Sequence, residues 1–403
     1  MDRSSDSDSK SHDHAKTNIN QNSNMISLPP LSEDLMFHIL TFVPIICLIN
    51  SARYVCKTWA AIISSFGFYE ACERRARSKQ GLYVEGIMSS SSSYFLEFKD
   101  DDMNGEFEMF DLVTPRKMGD IITSCDGILL LSNDSGQIFA VNPILKRWFR
   151  IPPFPNSMQF PNIVRQCTIA RVPGTFEFKV FLMNVLEISG STWYVFYVLR
   201  IGVDNSWKEI ARREIFRNQL FYREQICSGE KGLYWITIDE VVAIDVGEEI
   251  IVRGYPLPSE SNNELMLDGL DPTYLWMGNH ISCIVNEEGD FYKPYKVFIL
   301  DFDSGKWSLY HEMRPFDDVD AYSHQLQILY VTYRFWIKDH IILLVSLSEN
   351  PIGNRDPAIK MRHFTYNVKT RDLTEVQGLD LSSTAVWLHR NTLASLPSTP
   401  IDV

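Results

Sequence analysis

The side chains that could do bond chemistry are few and scattered. The chain has nine histidines and seven cysteines in 403 residues. The cysteines (Cys47, Cys56, Cys72, Cys125, Cys167, Cys227 and Cys283) never form a C-x-x-C pair, so nothing is spaced for a structural zinc or a redox couple. An odd, dispersed set reads as reduced, mostly buried thiols of a nuclear or cytosolic protein. His12 and His14 flank Asp13 in a polar tail, and two imidazoles on a floppy segment make a weak metal set. There is no H-E-x-x-H, no glycine loop of the phosphate-cradling kinds and no G-x-S-x-G elbow. The acidic pairs Asp317-Asp318 and Glu287-Glu288 read as solvated turns. The residues predict no catalytic site, no metal and no cofactor.

What is concentrated is apolar surface, in the stretch Leu31 to Phe68. Ser32 is placed to cap a first helix, with Glu33 and Asp34 at its positive end. Leu31, Leu35, Ile39 and Val43 recur at the four-residue spacing of one helix face, with Leu40 beside them. Pro44 cannot continue that helix but can open a second one carrying Ile45, Leu48 and Ile49. A third helix fits Val55, Cys56, Trp59, Ile62 and Ile63, with Gly67 as its stop. Three helices over roughly 40 residues bury too little apolar area to stand alone. Met36, Phe37, Phe42, Ile46 and Cys47 fall off the main stripes. Surplus apolar surface on so small a unit indicates a docking face. The alternative is that these residues pack on the rest of the same chain.

This stretch resembles an F-box. The resemblance rests on Asp34-Leu35, Ile39-Leu40, Val43-Pro44, Leu48 and, above all, Val55-Cys56-Lys57-Thr58-Trp59 followed by Ile63 and Phe68. The chain departs from the family in having Ser32 where a proline normally precedes the acidic residues; Pro29 and Pro30 lie just upstream. The resemblance implies a partner, a Skp-type adaptor, and through it the cullin and RING subunits of an SCF ubiquitin ligase. It assigns adaptor contacts to Leu31, Leu35, Ile39, Leu40, Pro44, Leu48, Val55, Cys56 and Trp59.

The rest of the chain has another texture. Hydrophobic residues make up 45% of the sequence and charged ones 22%, ordinary for a soluble globular protein with a large core. A net charge of −13 argues against non-specific nucleic-acid binding and anionic membranes. No apolar run is long enough to span a bilayer, and the polar N-terminus does not resemble a signal peptide. Residues 1–25 read as a disordered tail, residues 26–80 as the helical module, and residues 81–403 as a β domain. Tyr69 to Arg77 continues as a helix with a basic end, and a strand is expected at Tyr94 to Phe98 between loops at 89–93 and 100–102.

Within the β domain a unit recurs: strand, Asn- or Asp-centred turn, then a tryptophan. It occurs at Ile138–Asn142 before Trp148, at Tyr197–Ile201 before Trp207, and at Val297–Asp301 before Trp307. Weaker copies run through 241–249 and 363–373, where the Trp is lost. Gly127 and Gly232 open strands upstream of two copies. A hairpin repeating every roughly 40 to 65 residues predicts blades stacked around an axis, with the Trp filling the wedge between neighbours. Strand content alone also fits a large β-sandwich. The run Val141-Asn142-Pro143 to Trp148, then Ile151-Pro152-Pro153, resembles the F-box-associated region of plant F-box proteins, which is related to kelch propellers.

The expected fold is therefore mainly β, a kelch-like β-propeller preceded by a three-helix F-box module. The expected function is non-enzymatic: the substrate-recognition subunit of an SCF-type ligase, acting in the nucleus or cytoplasm. The alternative is a propeller enzyme, a kelch-type oxidase or lyase, with a helical extension. A helix-turn-helix regulator fails on charge, because Val55 to Ser65 carries only Lys57 as a basic residue.

Overall fold

The architecture was determined from a computed structural model. It describes residues 31–76, 81–86, 94–98, 107–111, 119–154, 166–215, 225–228, 232–237, 240–258, 272–286, 291–316, 326–349, 358–376, 384–390 and 392–397. The tail 1–25, the loops at 89–93 and 100–102 and the two acidic pairs lie outside these residues.

The helical part holds α1 (Glu33–Leu40), α2 (Ile45–Asn50), a 3-10 turn (Ala52–Tyr54), α3 (Lys57–Ile63) and α4 (Phe66–Ala76). Each start has a local cause. The Ser32 hydroxyl accepts from the Leu35 amide at 3.3 Å, so the residue that departs from the family pattern caps α1. Pro44 opens α2, as its missing N–H allows. Cys56 lies outside α3 and caps it, its sulfur accepting from the Trp59 amide at 3.4 Å. Gly67 does not stop α3. The break falls at Ser64-Ser65, where the Ser65 hydroxyl donates to the Ile62 carbonyl and accepts from the Phe68 amide. Gly67 sits in the first turn of α4.

The β part is six four-stranded antiparallel sheets. Blade 1 contains β1 (Gly81–Gly86), β2 (Tyr94–Phe98) and β3 (Phe107–Asp111). Blade 2 is β4 (Asp120–Cys125), β5 (Ile128–Ser132), β6 (Ile138–Asn142) and β7 (Arg147–Arg150). Blade 3 is β8 (Cys167–Arg171), β9 (Phe178–Ile188), β10 (Ser191–Arg200) and β11 (Lys208–Ile215). Blade 4 is β12 (Gln225–Ser228), β13 (Gly232–Ile236), β14 (Glu240–Asp245) and β15 (Ile250–Pro256). Blade 5 is β16 (Thr273–Met277), β17 (His280–Val285), β18 (Tyr295–Asp301) and β19 (Lys306–Met313). Blade 6 is β20 (Leu326–Ile337), β21 (His340–Glu349), β22 (Ala358–Asn367) and β23 (Leu373–Glu375). The last strand, β24 (Thr384–His389), returns to pair with β1 from Gly86↔Thr384 to Gly81↔His389 and becomes the innermost strand of blade 1. Both ends of the β domain thus build one blade, which closes the ring.

Packing decides between a propeller and a sandwich. Successive strand residues point to opposite faces, and here both faces are buried. Tyr83 packs toward blade 2 with Leu129 and Leu131, while its neighbours Leu82 and Val84 pack toward blade 6 with Ile337 and Ile342. Blades 2 and 3, 3 and 4, 4 and 5, and 5 and 6 each share a further apolar cluster. One core fills each wedge around a closed ring of six. This explains why Ile128–Leu131 and Ile341–Val345 are uninterrupted apolar runs.

The recurring tryptophans sit where the repeat predicts. Trp148 and Trp307 lie on the outermost strands, opposite Val141 and Leu300, and Trp207 immediately precedes β11. The Trp207 indole N–H donates to the Pro152 carbonyl of the preceding blade at 3.1 Å, and that of Trp307 donates to Pro256 at 2.7 Å. In blades 4 and 6 the matching positions, opposite Ile244 and Tyr366, hold Ile251 and Leu373.

The helices and the ring form one body. Ile45, Ile46 and Ile49 join the cluster between blades 1 and 2, and Tyr69 joins the one between blades 2 and 3. Phe66 and Tyr69 meet Phe176 with ring centroids 4.5 and 4.3 Å apart. Arg171 donates to the Tyr69 hydroxyl and pairs with Asp126 at 3.1 Å. The segment after β24 seals this joint. Leu393 touches the helical core and both adjoining clusters, while Asn142 donates to the Thr392 and Ala394 carbonyls at 3.2 and 2.7 Å. Gly127 (φ +81°) and Gly202 (φ +75°) let this segment pass. A side chain at the first would strike the Arg390 carbonyl and Thr392, and one at the second the Pro397 ring.

Candidate functional site

The helical core consists of Leu40, Leu48, Ala52, Ile63, Phe68 and Cys72, with Phe37, Val43, Trp59 and Ile62 packed against it. Phe37 and Phe68 meet edge to face with centroids 5.4 Å apart. Of the regular row read as one face of α1, Val43 packs on the helical core, while the other three residues point the other way. Leu31, Leu35 and Ile39 are 52, 46 and 43% exposed, and Phe42 one turn on is 68% exposed. The inner row is Phe37 and Leu40, whose three-residue spacing reaches Phe68 and Leu48. Burying a leucine side chain stabilises by about 1.5–3 kcal/mol, so four apolar side chains left in water on and beside α1 make an exposed patch of the kind that marks interaction sites.

The surplus residues divide between the two readings of the sequence. Phe42 and Cys47 face solvent. Ile46 packs on the ring, and Met36 and Phe37 are half-buried. Of the residues assigned to adaptor contact, Leu31, Leu35, Ile39, Pro44, Val55 and Cys56 are exposed, and Trp59 is half-buried. Leu40 and Leu48 are fully buried and act by holding the exposed row in place. Tyr54 (69% exposed, its ring under the Arg53 guanidinium at 4.7 Å) belongs with Val55 on the outer surface and was not singled out from the sequence.

The ring contains one constellation that sequence spacing hid. Ser124 Oγ and His389 Nδ1 lie 3.0 Å apart across 265 residues. Burial first, and Arg390 second, push the imidazole down to about 3, so it is neutral. Tyr83 and Phe95 close over it, with ring centroids 5.6 and 5.7 Å away. A buried serine–histidine pair whose other ring nitrogen meets no carboxylate among the described residues is a packing contact between blades 1 and 2. Among the described residues no group of three His, Cys, Asp or Glu is placed to hold a metal, and no helix is long and apolar enough to cross a membrane.

Residues 28–71 match the sequence model of the F-box domain. No curated protein matches the chain. Solved structures similar to it include YCF48 bound to D1 peptide, at 11% identity and TM-score 0.34, covering 78% of this chain and 97% of that one. YCF48 from Cyanidioschyzon merolae is 10% identical with TM-score 0.32, over 77 and 95% of the two chains. The N-terminal domain of Nup159 is 9% identical with TM-score 0.31, over 79 and 88%. The helices that present the exposed apolar row thus coincide with the matched segment, and the chain carries an F-box domain set on a six-bladed β-propeller.

Proposed function

We infer that this protein is a substrate receptor of an SCF-type ubiquitin ligase. In this reading the F-box binds a Skp-type adaptor, and through it cullin and RING subunits, while the propeller holds a target protein. The observation that carries it is the two-sided helical unit at the matched segment. Its inner side is fixed on the ring, and its outer side leaves Leu31, Leu35, Ile39, Phe42 and Val55 in water. Such a receptor catalyses no bond change itself; it raises the effective concentration of target lysines beside the transferring enzyme. The fixed joint serves that role, because a rigid arm holds the target at one distance. The motif from Val141 to Pro153 supports kinship with the kelch-like F-box-associated domains of plants, and the free thiols support a nuclear or cytoplasmic setting.

Co-purification with a Skp-type adaptor tests the reading. Leu35→Asp with Ile39→Asp should abolish binding without shifting the unfolding midpoint, since both side chains already face water. If the unaltered chain fails to bind the adaptor, or the double variant still does, the receptor reading is wrong.

A further inference from the structure

One carboxylate at the joint between the helices and the ring serves two cations. Asp126 and Gly127 form the two-residue loop between β4 and β5, with φ +45° and +81°. Both are left-handed, as in the hairpin turn that Asp-Gly and Asn-Gly favour. The turn explains the residue type but not the aim of the carboxylate. Its Oδ2 pairs with Arg171 Nε at 3.1 Å, and its Oδ1 accepts from Arg390 Nη2 at 2.5 Å. The Asp126, Arg171 and Arg390 side chains are 29, 14 and 17% exposed, so water replaces these contacts poorly.

The two cations come from distant parts of the chain. Arg171 ends β8 in blade 3, and Arg390 leads from β24 into the C-terminal segment. Arg171 also reaches the helices. Its Nη1 donates to the Tyr69 hydroxyl, and its guanidinium carbon lies 5.8 Å from the centre of that ring. Tyr69 is 5% exposed and belongs to α4, within the segment matched to the F-box. Contacts thus run without a break from α4 through Arg171 and Asp126 to the C-terminal segment.

Two kinds of force act here. The contacts of Phe66 and Tyr69 with Phe176 hold the helices against the ring, but apolar burial has no direction. A guanidinium fork has one. Arg171 gives Nε to Asp126 and Nη1 to Tyr69, so its plane relates the angle of α4 to the turn of blade 2. Arg390 occupies the other oxygen of the same carboxylate.

We propose that Asp126 is a positioning residue for the F-box. It fixes the angle of the helices on the ring, and through Arg390 it makes that angle depend on the C-terminal segment. When Arg390 is lost, the freed oxygen turns to Arg171 and draws its fork away from Tyr69. The purpose of the device rests on the receptor reading: a set angle determines where a target on the ring meets the transferring enzyme.

Native-state hydrogen exchange of the full chain tests this, read as the opening of α4 relative to β5 and β21. Tyr69→Phe keeps the ring and deletes the hydroxyl. It should open α4 about tenfold more often, the range for a hydrogen bond to a charged group. Asp126→Asn keeps the turn and removes the charge, and should have at least that effect. Arg390→Met should also open α4 about tenfold by itself, but less than about threefold once Tyr69→Phe is present, because both act through one chain of contacts. Full multiplication of those two effects, or an α4 indifferent to either substitution, overturns the proposal. Should Asp126→Asn fail to fold, the cycle of Tyr69→Phe and Arg390→Met decides. Adaptor binding is scored on the same samples and should be unchanged, since the exposed apolar row is untouched. Failure of the unaltered chain to bind the adaptor counts against the receptor reading alone, whereas an unmoved α4 counts against Asp126 alone.

Discussion

Two junctions between neighbouring blades solve the same problem with opposite chemistry. Between blades 4 and 5 a neutral hydrogen bond spans the gap, from the Trp307 indole to the Pro256 carbonyl, with Tyr274 against the ring. Between blades 3 and 4 the tryptophan position holds Ile251, which cannot donate, and an ion pair stands in. Lys179 reaches from β9 to Glu249 at 2.9 Å and donates to the Val246 and Gly247 carbonyls at 2.8 and 2.9 Å. Lys208 reaches the other oxygen of Glu249 at 2.8 Å. The first junction relies on area and one neutral bond. The second relies on charge that must remain matched, because a lysine buried to 4% exposure has no water to fall back on.

The most severe test is Glu249→Gln. Removing one partner of a buried pair leaves an uncompensated charge, at a cost of about 3–5 kcal/mol. Denaturant unfolding should show a loss near that size, and a loss under about 1 kcal/mol would mean that the Val246 and Gly247 carbonyls suffice for the ammonium.

Acid should next separate the junctions without mutation. Burial alone would raise the Glu249 carboxyl, but hydrogen bonds from Lys208 and Lys179 outweigh it and hold the group below its ordinary value. A carboxylate with a depressed folded-state pKa stabilises fully above its unfolded pKa, and that stability is lost as pH falls through the folded one. The stability-versus-pH curve should therefore fall from the ordinary carboxylate range downward, and Glu249→Gln should fall less steeply. Parallel curves would remove Glu249 as a source of the slope.

Trp307→Phe keeps a ring and deletes the donor, and the Pro256 carbonyl can turn to water. It should cost about 1 kcal/mol and leave the pH profile unchanged; a changed profile would link the two junctions. Lys208→Met should have the smallest effect, under about 1 kcal/mol, because its side chain is mostly in water. A cost equal to that of Glu249→Gln would show that Lys208, and not Lys179, holds the carboxylate.

The contrast also marks what a sequence discloses. The tryptophan repeat was legible because strand, turn and indole recur within a dozen residues of each other, and from it the blades follow. The ion pair was not, since Lys179 and Glu249 lie on different blades with no local pattern joining them. The helical module was legible from Ser32, Pro44 and the string from Val55 to Trp59. Which side of α1 faces inward was not, because Leu31, Leu35 and Ile39 form as regular a row as Phe37 and Leu40. Only the position of Phe68 decides it.

The strap after β24 sets a timetable. Ribosomes make the chain from its N-terminus, so the F-box helices emerge first. Their footing on the ring waits for Leu393, and blade 1 waits for β24. Until those last residues leave the exit tunnel the nascent chain has an open ring and helices without their seat. A transcript truncated ahead of Thr384 would encode the exposed apolar row of the F-box helices and yet no closed ring to seat them. Such a chain exposes unpaired strand edges and apolar wedges, the features through which incomplete folds aggregate.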